Sequence, residues 1–217
     1  TGQCVDMPTE AADSNFKSKI RLVAYPTVEL GSVVWAYLGT GEPPPPRFEW
    51  TTLRPDQRIV TRTWEECNWL QAMEGGLDTS HVPILHGKLT DDTDLPGVSP
   101  STPLARGKAP HLEVDETDYG YAYYGVRELE NDQLHVRAYH FVMPFTQIRP
   151  PDSDVPEVHG HTWVPMDDEN CMVWNFYYSY GDQPMADQSQ RTAGAGNAYG
   201  THVDVENGFR SLRNRAN

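Results

Sequence analysis

The stretch that decides the reading of this chain is TRTWEECNWLQAMEGGLDTSHVPILHG, Thr61 to Gly87. Its second half sets Asp78, His81 and His86 in the pattern Asp-x2-His-x4-His. Two neutral imidazoles and one carboxylate are the donor set that holds non-haem ferrous iron while leaving positions open for oxygen and substrate. Asp78 and His81 stand three apart and share a face if the segment is helical. His86 lies five residues past His81, about 140° further round an ideal helix, so one regular helix cannot aim both rings at one metal. Pro83 lies between them and disturbs a helix locally, which allows the second imidazole to turn toward the first. Upstream, Gln71, Glu74, Asp78 and His81 form a polar stripe flanked by Trp69, Leu70, Met73 and Leu77, the pattern of a helix lining a polar cavity. Gly75 and Gly76 weaken that helix by about 1 kcal/mol each relative to Ala. By itself a His pair reads more readily as a solvated helix face, because a metal site needs a third ligand in context.

The same stretch, with Asn68 and Trp69 ahead of Asp78, His81 and His86, closely resembles the catalytic-domain signature of Rieske non-haem iron aromatic ring-hydroxylating oxygenases. The likeness is to oxygenase (alpha) subunits of the phthalate dioxygenase and aromatic O-demethylase type. Further matches are GSVVWAYLG, Gly31 to Gly39, and GHTWVPMDDE, Gly160 to Glu169, so the resemblance spans most of the chain. It implies an α+β, helix-grip (Bet v 1/START-like) catalytic domain, with a curved antiparallel sheet wrapped around a long helix and the iron between them. It also implies that His81 and His86 ligate mononuclear Fe(II), and that Asp78 is the acidic bridge carrying electrons from a neighbouring subunit's [2Fe–2S] cluster. A reductase or ferredoxin as electron donor, an aromatic substrate, O2 and a homo-oligomer, a trimer, follow from the same resemblance.

Composition agrees. A chain of 217 residues suits one sizeable domain, or one domain and a piece of another. A net charge of −14 argues against nucleic acid and acidic membranes as partners. No 18-residue apolar run and no signal peptide is visible. Three cysteines, Cys4, Cys67 and Cys171, form no Cys-x2-Cys pair and cannot all be joined as disulfides, which fits a reducing cytoplasm. Cys67 adjoins the metal segment but reads as a small packed hydrophobe.

A Rieske cluster takes two Cys and two His, which the family supplies as Cys-x-His and Cys-x2-His. Neither motif occurs here. TGQCVDMPTE nevertheless resembles the segment that follows the second cluster motif, and Ile20–Tyr25 with Ser32–Leu38 resembles the last hairpin of the cluster domain. The expected division is therefore a C-terminal remnant of a β-rich Rieske domain over 1–42, a proline linker over 43–46 and an incomplete catalytic domain over 47–217. Pro43 to Pro46 also has the form of an SH3 ligand, but at a domain junction a stiff linker is the simpler reading.

Past the iron motif, LTDDTDLPGVSP, Leu89 to Pro100, reads as an exposed loop; the spaced oxygens of an EF-hand are missing. Strand-like runs follow at His111–Val114, Tyr119–Arg127, Leu134–Met143, Thr162–Val164 and Met172–Tyr178, and their short links favour an antiparallel sheet. His159 and His161 face one way on a strand and read first as strand-surface or core positions, with His161 also a candidate pocket residue beside Asn68 and Glu74. His135 and His140 face opposite ways. Arg127 and Arg137 suit a substrate carboxylate, or ordinary pairing with the 31 acids of the chain. TAGAGNAYG, Thr192 to Gly200, lacks the Lys-Ser/Thr of a phosphate loop and reads as a flexible rim.

The third iron ligand is the gap. The family takes it from an Asp near a Gln-Asp dipeptide, which is absent; Asp182, Asp187 and Asp204 lack the matching surroundings, and ENGFRSLRNRAN resembles the approach to that region. The carboxylate is therefore expected beyond Asn217, and the chain alone is expected to be inactive. Helix-grip folds also serve as non-catalytic carriers of hydrophobic ligands, so a binding module is the rival reading, and a metal-dependent hydrolase a weaker third. The motif does not select the substrate; the pocket does.

Overall fold

The computed structural model describes residues 1–44, 46–85, 109–129, 132–150 and 156–185, and the chain divides into two compact units, Thr1–Thr52 and Leu53–Asn217. Outside the described residues lie His86, the Leu89–Pro100 loop, Asp187, the Thr192–Gly200 loop and Asp204.

In the first unit, β1 (Thr27–Leu30) and β2 (Val33–Ala36) form an antiparallel hairpin closed by the pair Leu30↔Val33. Gly31 and Ser32 both have positive φ, 64° and 66°, the two-residue turn whose twist matches the strands it joins. That turn corrects the expected hairpin. A strand paired with Val33–Ala36 must end at the turn, so it is Thr27–Leu30; Ile20–Tyr25 contributes only the bridge Gln3↔Arg21. Trp35 stacks with Phe48 and tilts against Trp50, at ring separations of 6.2 and 6.0 Å. The unit therefore runs past the proline run, because these two rings follow the prolines in sequence.

Among its described residues the second unit is mostly sheet: seven antiparallel strands in one curved layer with few helices. Its strands are β3 (Arg58–Glu65), β4 (His111–Thr117), β5 (Gly120–Glu128), β6 (Leu134–Val142), β7 (Thr146–Arg149), β8 (Glu157–Pro165) and β9 (Cys171–Ser179), in the order β3-β9-β8-β7-β6-β5-β4. Strands β4 to β9 make a meander, and its antiparallel pairing is what the strand-like runs and their short links predict. β3 and β7 escaped the sequence reading. RIVTRTWE sits at the head of a segment whose resemblance drew it toward the helix, and TQIR is only four residues long. β3 pairs with β9, so the first and second strands of this unit, β3 and β4, occupy opposite edges of the sheet. Asp78 and His81 lie in the connection between these two edge strands.

The described helices in this connection are α1 (Trp69–Leu77) and α2 (Val82–Leu85), nine and four residues long. Asn68 starts α1 as its N-cap, its side-chain oxygen accepting from the Leu70 N–H at 2.9 Å. The apolar stripe of α1 buries Met73 in a cluster with Phe141, Trp163, Cys171 and Val173, against which Trp69, Ala72 and Leu77 also pack. Burying a side chain such as Met73 contributes roughly 1.5–3 kcal/mol. Gly76 lets α1 approach the sheet, since a Cβ built there would overlap the Trp163 indole. No helix among the described residues is long and apolar enough to cross a membrane.

Candidate metal centre

Alternation sorts the sheet into two faces, and the inner one carries a graded series. Under α1 it is apolar, with Tyr121, Phe141, Trp163, Val173 and Cys171 packed together on it. The same face carries polar side chains: the pair Tyr123↔Tyr139, and Gln147, His161 and Asn175 in one register row. Beyond them it bears Arg127, Arg137, Arg149 and His159.

These polar side chains grip the backbone that leaves α1. Gln147 donates from Nε2 to the Gly76 carbonyl at 3.0 Å and to the Tyr123 hydroxyl at 2.6 Å, and Tyr123 donates to the Leu77 carbonyl at 2.9 Å. Burial pushes the Tyr123 hydroxyl well above the usual phenol range, so it remains a donor at neutral pH. Thr79, 3% exposed, meets the Tyr139 hydroxyl at 3.0 Å, and Arg127 donates from Nη2 to its carbonyl at 2.9 Å and its Oγ1 at 3.0 Å. Four inner-face side chains on three strands thus fix residues 76–79.

On that platform Asp78 and His81 come together, though not by the helical spacing expected. α1 ends at Leu77; Asp78 is its C-cap, extended at φ −64° and ψ 119°. The contact is made by a local turn in which the Asp78 carboxylate accepts from the Ser80 N–H at 2.7 Å and the His81 N–H at 3.3 Å. The same carboxylate then lies 3.1 Å from Nδ1 of His81. The short side chain of Asp, bonding backbone two and three residues ahead, does what the helix was expected to do. Burial alone would raise the Asp78 carboxyl, but the Ser80 and His81 contacts outweigh it and hold the group below its ordinary range. Pro83 has a different part from the one expected. The helical break precedes it, and Pro83 sits in the first turn of α2, where its missing N–H costs little.

Of the two histidines predicted to hold iron, the described residues include His81. With Nδ1 engaged by Asp78, the ring of His81 would take a metal through Nε2, the carboxylate–imidazole–metal arrangement in which the partner sets tautomer and ring plane. Other predicted residues stand apart. Glu74 and Gln71 are exposed on α1, so the polar stripe faces outward. Asn68 is engaged at both ends, as helix cap and by donating to the Asp168 carbonyl at 3.0 Å. His161 is buried beneath α1 with Nδ1 at 2.7 Å from the Asn175 side-chain oxygen, and burial followed by the Arg149 charge pushes its pKa down to about 3. His159 lies on the same face, 3.6 Å from Glu157 and edge-on to Tyr177. Asp182 is exposed.

Thr79, Tyr123 and Gln147 escaped the sequence reading. The signal was the alternation of YAYYGVRE, which puts Tyr121, Tyr123 and Arg127 on one face, but nothing in the sequence sets β5 beneath the helix end. Arg127 does not pair with an acid among the described residues. It is 2% exposed, and its Nε and Nη1 are buried without an acceptor there, a state that burial answers by lowering its pKa.

Comparison with known families shows that residues 36–217 match the model described as LigXa C-terminal domain like. The chain belongs to that family. It is 36% identical to the 3-chlorobenzoate-3,4-dioxygenase oxygenase subunit of Comamonas testosteroni over 82% of this chain and 41% of that protein. It is 30% identical to the phthalate 4,5-dioxygenase oxygenase subunit of Pseudomonas putida over 100% of this chain and 50% of that protein. This member of the family is therefore homologous to Rieske oxygenase alpha subunits, as the motif resemblance implied. It spans half or less of the length of these curated relatives. In fold it is similar to the terminal oxygenase of carbazole 1,9a-dioxygenase from Nocardioides aromaticivorans IC177, with a TM-score of 0.57 at 16% identity, covering 89% of this chain and 59% of that one.

Proposed function

We propose that the protein carrying this chain is the oxygenase component of a Rieske-type system. It incorporates O2 into an aromatic compound, by hydroxylation, dihydroxylation or O-demethylation, with electrons from a reductase or ferredoxin. The observation that carries this reading is the contact of Asp78 with Nδ1 of His81 on a backbone fixed by Arg127, Tyr123 and Gln147. A surface histidine needs no such support; a ligand does. In this reading His81 and His86 hold ferrous iron with a third, carboxylate ligand, and Asp78 keeps the His81 tautomer and bridges to the neighbouring subunit's [2Fe–2S] cluster. Bound iron supplies the reductive activation of O2. The sheet with α1 is read as a helix-grip domain and the first unit, which holds the proline run 43–46 within it, as the remnant of a Rieske domain, in a cytoplasmic homotrimer. Free cysteines support the reducing compartment.

The same reading gives the substrate an anionic group. Arg127 lies behind the Asp78–His81 turn with two buried N–H groups lacking an acceptor among the described residues, and a carboxylate is the partner a guanidinium fork matches. The two relatives above are named for chlorobenzoate and phthalate, which are aromatic carboxylates.

The test uses the full-length protein with its electron donor. His81→Ala removes mononuclear iron and coupled O2 uptake while sparing the cluster spectrum; full iron content and turnover in that variant defeat the reading. Replacing a substrate carboxylate by a carboxamide raises KM about 10- to 100-fold in the wild type, the worth of one charged hydrogen-bonded contact. Equal KM values reject the anionic substrate alone.

A further inference from the structure

At the other end of α1 from Asp78, three metal-ligating side chains converge that the iron motif does not use. Glu65 is the last residue of β3 and Cys171 the first of β9, and the two are direct partners across the ladder. Cys67 follows Glu65 by two residues, just before the Asn68 cap. The Glu65 carboxylate and the two thiol sulfurs all lie within 4.8 Å of one another. Two cross-links hold the segments in place: Trp64 Nε1 donates to Asn170 Oδ1 at 3.0 Å, and Asn68 donates to the Asp168 carbonyl at 3.0 Å.

We propose that Glu65, Cys67 and Cys171 form a binding site for a thiophilic divalent cation, with zinc the ion whose chemistry they fit. Thiolate sulfur and carboxylate oxygen are zinc ligands, and at about 2.3 and 2.1 Å from a tetrahedral ion they stand about 3.6–3.8 Å apart. Closing from within 4.8 Å to that separation asks about 1 Å of side-chain rotation. Three protein ligands leave one position for solvent, and the half-buried Glu65 and Cys67 give the ion a way in while Cys171 is wholly buried.

The arrangement is otherwise unfavourable. Among the described residues no Lys, Arg or His pairs with the Glu65 carboxylate, and burial raises its pKa. Burial, with the Glu65 charge next, raises the Cys67 thiol and pushes Cys171 up to about 12. Packing alone would favour apolar side chains at these positions; a cation turns the desolvated carboxylate and thiols into ligands. Binding displaces the two thiol protons to solvent, so affinity rises with pH. The cluster contains no imidazole, and its occupancy is independent of the iron reading.

The test is a titration of the reduced, chelator-treated chain with cobalt(II) as a spectroscopic stand-in, followed by zinc. Expected are thiolate-to-cobalt charge-transfer bands and tetrahedral visible bands that saturate at one equivalent and are displaced by zinc. Cys67→Ala abolishes them. Glu65→Gln weakens binding by at least the roughly 10- to 100-fold that losing even an outer partner costs. Cys4→Ala and His81→Ala leave the bands unchanged. Absence of thiolate bands in the wild-type chain overturns the proposal whatever the variants do, and bands that survive in Cys67→Ala overturn it equally.

Discussion

Asp78 is the residue on which sequence and structure meet. Its carboxylate closes a turn onto the Ser80 and His81 amides and reaches the imidazole, so Asp78→Asn, which retains an accepting oxygen, keeps the turn but removes the charge opposite Nδ1. In the full-length protein that variant is expected to fold normally and to slow oxidation of the reduced cluster in a single turnover by about 10- to 100-fold; normal single-turnover kinetics would count against the role. His161 gives a second prediction. Its ordinary value of 6.5 falls to about 3 in the fold, chiefly through burial. Between those values the unfolded chain binds a proton that the folded chain does not, so stability rises with pH across that window. The stabilisation is complete above 6.5 and declines as pH falls toward about 3. Urea midpoints measured from pH 7 to pH 4 should therefore fall less steeply in His161→Gln than in the wild type. Equal slopes would show that other groups dominate.

At the scale of elements, α1 carries adjacent glycines with opposite reasons for being there. A Cβ at Gly75 meets nothing within 4 Å, whereas one at Gly76 overlaps the Trp163 indole, which is only 3% exposed and cannot swing away. Gly75→Ala is expected to stabilise the protein by up to about 1 kcal/mol through helix propensity. Gly76→Ala is expected to destabilise it by about 1–3 kcal/mol through overpacking. Thermal or urea unfolding of the two variants measures both signs, and a stabilising Gly76→Ala would mean that α1 does not rest on β8 as described. The paired glycines signalled a weak helix in sequence. That one of them marks a close approach depends on Trp163, far along the chain.

At the scale of the whole chain, the connection from edge strand β3 to edge strand β4 explains where Asp78 and His81 lie. The segment that joins these edges begins, in its described part, on the face bearing Tyr123, Gln147 and Arg127, which hold residues 76–79. The chain offers three cysteines and neither Cys-x-His nor Cys-x2-His. Reconstituting these 217 residues with iron and sulfide is therefore expected to give no Rieske-type electron paramagnetic resonance signal. A Rieske signal from this chain would require ligands that no reading of it supplies.

The sequence by itself determined the family and most of the sheet. The signature from Thr61 to Gly87 carried the resemblance that the relatives bear out, and the aromatic alternation of β5, β6 and β9 survives because one buried face enforces a period of two. What stayed hidden depends on contacts between residues distant in sequence. Helical spacing predicted that Asp78 would meet His81, yet a capped helix end and a side-chain-to-backbone turn bring them together. The edge pairing of β3 with β9 joins Glu65 to Cys171, and the placing of β5 and β7 under α1 turns Arg127, Tyr123 and Gln147 into supports for the site. Strand order and helix docking are set by the summed burial of the inner face, a property of the folded chain that no local window contains.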